Sequence, residues 1–115
     1  MDERLEKALE FSNYMVTLNN KKRLLREQYE QECVHYYSGG QFSVTQDLIS
    51  FCQSLCALDQ ETVVLIDDNH QPIEIDPLED FLKDILAIYS TATNKYLLEY
   101  NKIKTNRSVE GLLEL

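Results

Sequence analysis

The first 37 residues contain neither glycine nor proline, and no other feature of the chain constrains its fold as strongly. Spacings of three and four residues alternate along this stretch and place mostly apolar side chains at heptad core positions. The pattern predicts a helix from Asp2 to about Tyr37, which would be roughly 50 Å long at 1.5 Å per residue. Two of the core positions are charged, which argues against a strict coiled coil. The core positions are Ala8, Phe11, Met15, Leu18, Lys22, Leu25, Tyr29, Glu32 and Tyr36.

A second, shorter helix is predicted next. The "SGG" at Ser38 to Gly40 ends the first helix, because glycine tolerates the left-handed backbone found at helix C-termini. Ser43 or Thr45 can cap the second helix, and Gln46 stands three residues after Ser43, as in a capping box. This helix is expected to end near Asp59. Its apolar stripe is Val44, Leu48, Phe51, Cys52, Leu55 and Leu58.

Residues 62–75 predict a β-hairpin. The segment "TVVLID" is β-branched and aliphatic, "PIEI" alternates in polarity, and the intervening "DDNHQ" favours a turn. Pro72 cannot donate to a strand ladder, so the second strand is expected at an edge. Because a lone two-stranded ribbon is marginal in water, it must pack on helices or pair with another chain. The residues predicted to bind a partner here are Val63, Leu65, Ile73 and Ile75.

The last long helix has the clearest start signal in the sequence. Asp76 is the predicted N-cap, Pro77 the first helical residue and Glu79 the second member of a capping box. The helix is expected to run to about Lys104, whose charge suits the negative end of the helix dipole. Residues 108–115 then form a C-terminal tail.

These elements predict a mainly α fold with some β structure (α+β). Two long antiparallel helices are expected, with a short helix and a β-hairpin inserted between them. Residues 1–107 are predicted to form one helical domain, with the hairpin at residues 62–75 and the tail at residues 108–115.

The formal net charge of −9 comes from the middle of the chain. Residues 38–80 carry no lysine or arginine against 9 acidic residues, whereas residues 1–37 carry 6 against 7 and residues 81–115 carry 5 against 4. An acidic surface repels phosphate backbones, so direct nucleic-acid binding is not expected. The distribution suits a partner with a basic face.

Neither export nor membrane insertion is expected. The opening "MDERLEKALE" has no apolar core, and the longest aliphatic run, "VVLI", is far too short to span a bilayer. Three cysteines are an odd number, which favours reduced thiols and a cytosolic location.

The acidic stretch is one candidate metal site. A calcium loop starting at Asp67 would need glycine at its sixth position and glutamate at its twelfth, where Pro72 and Leu78 stand. Turn formation and helix capping account for most of these carboxylates, and no metal is predicted. The acids concerned are Asp67, Asp68, Glu74, Asp76, Glu79 and Asp80.

Cys33, His35, Cys52 and Cys56 are the second candidate set. They lack the Cys-x-x-Cys spacing of zinc knuckles, and buried free thiols are the favoured interpretation, with a zinc site as the alternative.

Catalysis is not predicted. His35 and His70 lie in different elements without a neighbouring nucleophile, and the chain has no glycine-rich phosphate loop. No cofactor is expected. The basic cluster Lys21, Lys22, Arg23 and Arg26 is interpreted as the solvated face of a helix, with contact to an acidic partner or nucleic acid as the alternative.

The texture of "LEKALEFSNYMVTLNN", "YYSGG" and "ETVVLIDDNHQPIEIDPLEDFL", together with the helix order, resembles small accessory proteins of large contractile-tailed bacteriophages, including those of marine cyanobacteria. This resemblance implies a virus-encoded protein in an infected bacterial cytoplasm, acting in virion assembly or in redirecting a host machine. The helix–hairpin–helix plan also resembles prefoldin-type chaperone subunits, although here an extra helix interrupts it.

The tail "SVEGLLEL" resembles the acidic-hydrophobic C-terminal peptides with which phage late-transcription coactivators and polymerases dock on sliding clamps. The corresponding positions are Val109, Leu112, Leu113 and Leu115, which are therefore candidate partner-binding residues. A terminal helical turn that packs on its own domain is the alternative.

The leading hypothesis is a small, acidic, non-enzymatic adaptor that acts by protein–protein contact. It is expected to form a homo-oligomer, a dimer, through its long helices or by pairing hairpin edges. The alternative is a regulator of transcription or replication that binds RNA polymerase or a sliding clamp, partly through the tail.

Overall fold

A computed structural model of the chain describes residues 2–115. It confirms the mainly α architecture with two long helices, one short helix and small antiparallel hairpins. A second hairpin, which the sequence did not predict, follows the first helix directly. The elements in chain order are α1 (Glu3–Glu32), β1 (Val34–Tyr37), β2 (Gly40–Ser43), α2 (Gln46–Ala57), β3 (Val63–Ile66), β4 (Pro72–Ile75), α3 (Leu78–Thr105) and α4 (Val109–Leu113).

The chain forms two compact units. The first contains the residues up to Gln28 together with Asn94–Leu115, and the second is Tyr29–Thr93. Residues 108–115, which the sequence suggests as a separate tail, lie in the first unit.

The first unit is an antiparallel pairing of α1 with the C-terminal part of α3. The Tyr14 hydroxyl donates to the carbonyl of Asn106 at 2.9 Å, and Lys22 Nζ lies 5.6 Å from the centre of the Tyr100 ring. Later residues of α1 therefore contact earlier residues of the C-terminal segment, as in an antiparallel helix pair. The buried side chains of the first unit, among the described residues, are Ile103 and Leu112. No residue of α1 is buried.

The predicted end of α1 near Tyr37 is wrong, because the helix stops at Glu32 and a hairpin follows. Val34–Tyr37 is a β-branched and aromatic run that favours a strand, and it pairs with Gly40–Ser43. Ser38 and Gly39 both have positive φ, 47° and 80°, as the type I′ turns of two-residue hairpins require. The "SGG" sequence is thus a hairpin turn rather than a helix stop.

The second hairpin forms where it was predicted. Val63 pairs with Ile75, and Leu65 pairs with Ile73. Its strands and those of the first hairpin form separate two-stranded sheets.

Phe81 of α3 is the centre of the second unit's core. Its fully buried ring makes edge contacts with Phe42, at a centroid distance of 5.2 Å, and with Tyr37, at 5.5 Å. The His35 ring also contacts Phe81, at a centroid distance of 5.3 Å. Both strands of the first hairpin therefore pack on one aromatic ring. The rest of this buried cluster is Cys33, Val44, Ile49, Cys52, Leu65, Ile75, Leu78, Ile85 and Ala92.

Thr45, one of the two predicted candidates, caps α2: its side-chain oxygen accepts from the Leu48 N–H at 3.1 Å. The capping box proposed for Ser43 and Gln46 does not form, because Ser43 belongs to β2. The Gln46 amide instead donates to the Tyr89 hydroxyl at 2.8 Å.

The predicted cap of α3 is wrong by one residue. The helix begins at Leu78, and the carbonyl of Pro77 accepts from the Phe81 N–H at 3.4 Å, so Pro77 occupies the cap position. Asp76 precedes it through a cis peptide bond, and the Tyr37 hydroxyl donates to the Asp76 carbonyl at 3.0 Å.

Candidate interaction surfaces

Asp67 is the buried carboxylate of the second unit, and backbone N–H groups surround it. Its Oδ1 accepts from Asn69 at 3.0 Å and from Gln71 at 2.7 Å, which closes the turn of the second hairpin. Its Oδ2 accepts from the N–H of Gln41 in β2 at 3.0 Å. This one side chain therefore joins the two hairpins.

Asp68 makes the second connection to β2. It accepts from the Ser43 N–H at 3.1 Å and from the Ser43 hydroxyl at 2.7 Å, while its own N–H donates to the Gln41 carbonyl at 2.8 Å. Asp67 and Asp68, here called the carboxylate clasp, thus occupy the edge of β2 that β1 does not pair. The clasp replaces strand pairing between the hairpins and satisfies backbone groups that would otherwise form an open edge.

The clasp sets the ionisation of Asp67. The Gln41 N–H holds the pKa of this carboxyl below its ordinary value of 3.8, and the N–H groups of Gln71 and Asn69 and the charge of His70 act in the same direction, while burial opposes them. Donors that favour the charged form lower a carboxyl pKa because protonation would cost their hydrogen bonds. The ionised carboxylate is therefore part of the fold.

Asp67→Asn is expected to destabilise the second unit at pH 7, with a loss that shrinks in acid. Since the pKa of Asp67 is lower in the folded chain than the ordinary 3.8, its stabilisation is complete above that value and disappears as pH falls through the folded-state pKa. Urea unfolding of wild type and variant between pH 7 and pH 2 measures this. Asp76→Asn, at an exposed aspartate, is the control, and an equal loss at every pH would contradict the assignment.

The four residues of the second hairpin that were predicted to bind a partner lie on its inward face. Leu65 and Ile75 are buried and Val63 and Ile73 are half-buried in the unit's own core, so these four residues support the fold. The exposed apolar side chains are those between them. Val64 is 62% exposed and Ile66 is 61% exposed.

The tail folds onto its own unit. Leu112 is completely buried and Val109 is half-buried, while Leu113 and Leu115 remain exposed. The Ser108 hydroxyl caps α4 by accepting from the Gly111 N–H at 3.0 Å. The arrangement matches the alternative in which a terminal turn packs on its own domain.

The cysteine and histidine set does not converge. Cys33, Cys52 and Cys56 are unpaired, and no group of three or more His, Cys, Asp or Glu side chains within residues 2–115 is placed to hold a metal ion. Burial raises the pKa of the Cys52 thiol to about 11, and Cys56 acts in the same direction. His35 Nε2 lies 3.9 Å from an Asp84 carboxylate oxygen.

The basic cluster of α1 makes contacts inside the first unit. Lys21 Nζ donates to the Leu115 carbonyl at 3.3 Å, and Arg23 pairs with Glu27 at 3.0 Å. Together with the position of Lys22 over Tyr100, these contacts fit the interpretation of a solvated helix face.

Charge divides sharply between the units. The second unit carries 12 acidic residues against a single base, Lys83, which leaves the first unit with 8 acidic and 10 basic residues. Lys83 itself pairs with Glu79 at 3.6 Å. The exposed apolar side chains of the second unit are therefore set in a strongly negative surface.

Comparison of the chain with protein-family models, with curated proteins and with solved structures gives no match. None of the helices formed by the described residues combines the length and apolar character needed to cross a bilayer.

Proposed function

We propose that this protein is a non-enzymatic protein that acts by protein–protein contact and self-associates through α1. The observation that supports the proposal is the imbalance in the first unit, where, among residues 2–115, two large side chains are buried and many more are exposed. A helix of 30 residues that buries no side chain of its own leaves apolar surface for a partner to cover. The exposed apolar residues of this unit are Leu5, Leu9, Phe11, Val16, Leu24, Leu97, Leu98, Leu113 and Leu115.

Three of these residues share one face of α1. Leu5, Leu9 and Val16 are four and seven residues apart, so their side chains project in nearly the same direction. The half-buried Leu18 is nine residues from Leu9, two and a half turns along the helix, and so lies on the opposite side. The exposed face is therefore distinct from the face that packs within the unit.

A second copy of the chain is the partner that suits this face. With 10 basic and 8 acidic residues, the first unit is nearly neutral, so two copies can approach without strong repulsion. The second unit, with 12 acidic residues and one lysine, would repel its own copy. Charge thus favours pairing of helices over pairing of hairpins.

Size-exclusion chromatography with light scattering tests the proposal. Wild type is expected to approach about 27 kDa at high concentration, twice the chain mass of 13.5 kDa. Leu9→Glu should weaken the dimer at least about tenfold, because burying an unpaired carboxylate costs more than the roughly 1.4 kcal/mol that tenfold represents. Gln53→Glu makes the same charge change on exposed α2 surface and should leave the dimer intact. Equal masses for the two variants would refute the interface.

A further inference from the structure

The two hairpins differ in what covers their edges. The carboxylate clasp occupies the second edge of β2, whereas β3 has β4 on one side and, within residues 2–115, no strand on the other. Strands with an open edge normally carry lysine, proline or a bulge that discourages pairing. The sequence of β3, "VVLI", has none of these.

Backbone groups of β3 point toward this open edge at two positions. The Asp67 N–H donates to the Gln71 carbonyl beside the turn, and hydrogen-bonded and non-hydrogen-bonded pairs alternate along an antiparallel ladder. Leu65 and Val63 therefore bond to β4, while the N–H and C=O of Val64 and Ile66 are directed away from it. The edge offers about four backbone hydrogen bonds to an added strand.

The side chains beside the edge are apolar. Val64 and Ile66 lie on the outer face of the hairpin, and the residues that pair with them in β4 are Glu74 and Pro72. An added strand would place alternate side chains next to Val64 and Ile66 and cover them. The edge thus combines backbone bonds with apolar contact on one face.

The surrounding charge selects the partner. Glu61 precedes β3, Asp68 follows it and Glu74 lies across the ladder, and all three are exposed. No lysine or arginine occurs between Arg26 and Lys83. A second copy of this hairpin would bring the same carboxylates against each other, while lysine or arginine side chains would be attracted.

We propose that the β3 edge binds an extended, basic segment of a partner protein by strand addition. Apolar residues at the centre of the segment cover Val64 and Ile66, and basic residues at its two ends approach the carboxylates around the strand. The proposal rests on the proposed function in that it names a partner for a protein that acts by contact. It does not depend on the α1 dimer, because the two surfaces belong to different units and are tested with different variants.

The test uses a synthetic eight-residue peptide with four central valines and two lysines at each end, with amide hydrogen exchange measured by NMR. In the free protein, the Val64 and Ile66 amides are expected to exchange fast, in contrast to that of Leu65. The peptide should slow exchange at Val64 and Ile66 by at least about tenfold, and its affinity should fall as salt rises. Protection that spreads over the acidic surface without favouring these two amides would overturn strand addition.

Two control peptides separate the contribution of charge from that of backbone hydrogen bonding. Replacing lysine with glutamate should abolish binding, since the charges then repel. Methylating the valine nitrogens keeps charge and side chains but removes the N–H groups that pair with β3, and should also abolish binding. Equal binding of either control would refute the proposal.

A protein variant gives an independent check. Val64→Pro removes an N–H that points out of the hairpin, a position at which proline is tolerated, and should reduce affinity at least about tenfold with an unchanged circular dichroism spectrum. Leu58→Ala, at another exposed apolar residue, is the control. Protection of Val64 and Ile66 that appears without peptide and grows with protein concentration would assign the edge to a second copy instead.

Discussion

Phe81→Ala is expected to destabilise the second unit by about 3–5 kcal/mol, the largest effect of any single substitution considered. The loss is large because the ring is completely buried and both strands of the first hairpin contact it through Phe42, Tyr37 and His35. A cavity there cannot be filled by one neighbour without moving the others. Since small domains are typically stable by about 5–15 kcal/mol, this loss removes a large share of the free energy of unfolding.

Phe51→Ala is the matched control. It makes the same chemical change on α2, where the ring is 53% exposed, and should cost less than about 1 kcal/mol. Urea unfolding followed by near-ultraviolet circular dichroism compares the two variants through the tyrosine signals. Similar losses would mean that Phe81 is not the centre of this core.

Leu112→Ala is expected to destabilise the first unit by about 2–5 kcal/mol. Leu112 and Ile103 are its buried side chains among the described residues, so removing one of them takes away much of the core. If residues 108–115 were instead a mobile docking peptide, the same substitution would leave stability unchanged. Thermal unfolding followed by far-ultraviolet circular dichroism distinguishes these outcomes.

The adjacent leucine provides the control for this test. Leu113 is 64% exposed, and Leu113→Ala should change the free energy of unfolding by less than about 0.5 kcal/mol. The pair also bears on the alternative of a regulator that docks on a clamp or polymerase. That alternative requires Leu112 to be accessible, and a silent Leu112→Ala would support it.

Periodicity in the sequence predicted the elements whose pattern is long or unambiguous. Both long helices, the short helix and the hairpin at residues 62–75 follow from it. The first hairpin does not, because Tyr36 continues the heptad spacing of α1 while Val34–Tyr37 also suits a strand. Ser38 and Gly39 fit a helix end and a type I′ turn equally well, so tertiary contacts of the hairpin, such as that of Tyr37 with Phe81, decide between them.

The interaction surfaces were harder to predict for two physical reasons. Alternation in a strand shows that two faces exist, but each face of β3 is aliphatic, so the sequence does not reveal which one packs on helices. The clasp joins Asp67 and Asp68 to Gln41 and Ser43, more than 20 residues earlier, in a strand that was not predicted. Turn formation did explain Asp67 in part, since it accepts from Asn69 and Gln71.

Self-association through α1, with the β3 edge left free for a basic partner, is tested most directly by amide hydrogen exchange of the wild-type protein at low and high concentration. Raising the concentration should slow exchange across residues 5–16 of α1, because dimerisation stabilises what it covers. Val64 and Ile66 should continue to exchange fast. Exchange in residues 5–16 that does not depend on concentration would contradict the α1 interface, and slowing at Val64 and Ile66 would contradict the free edge.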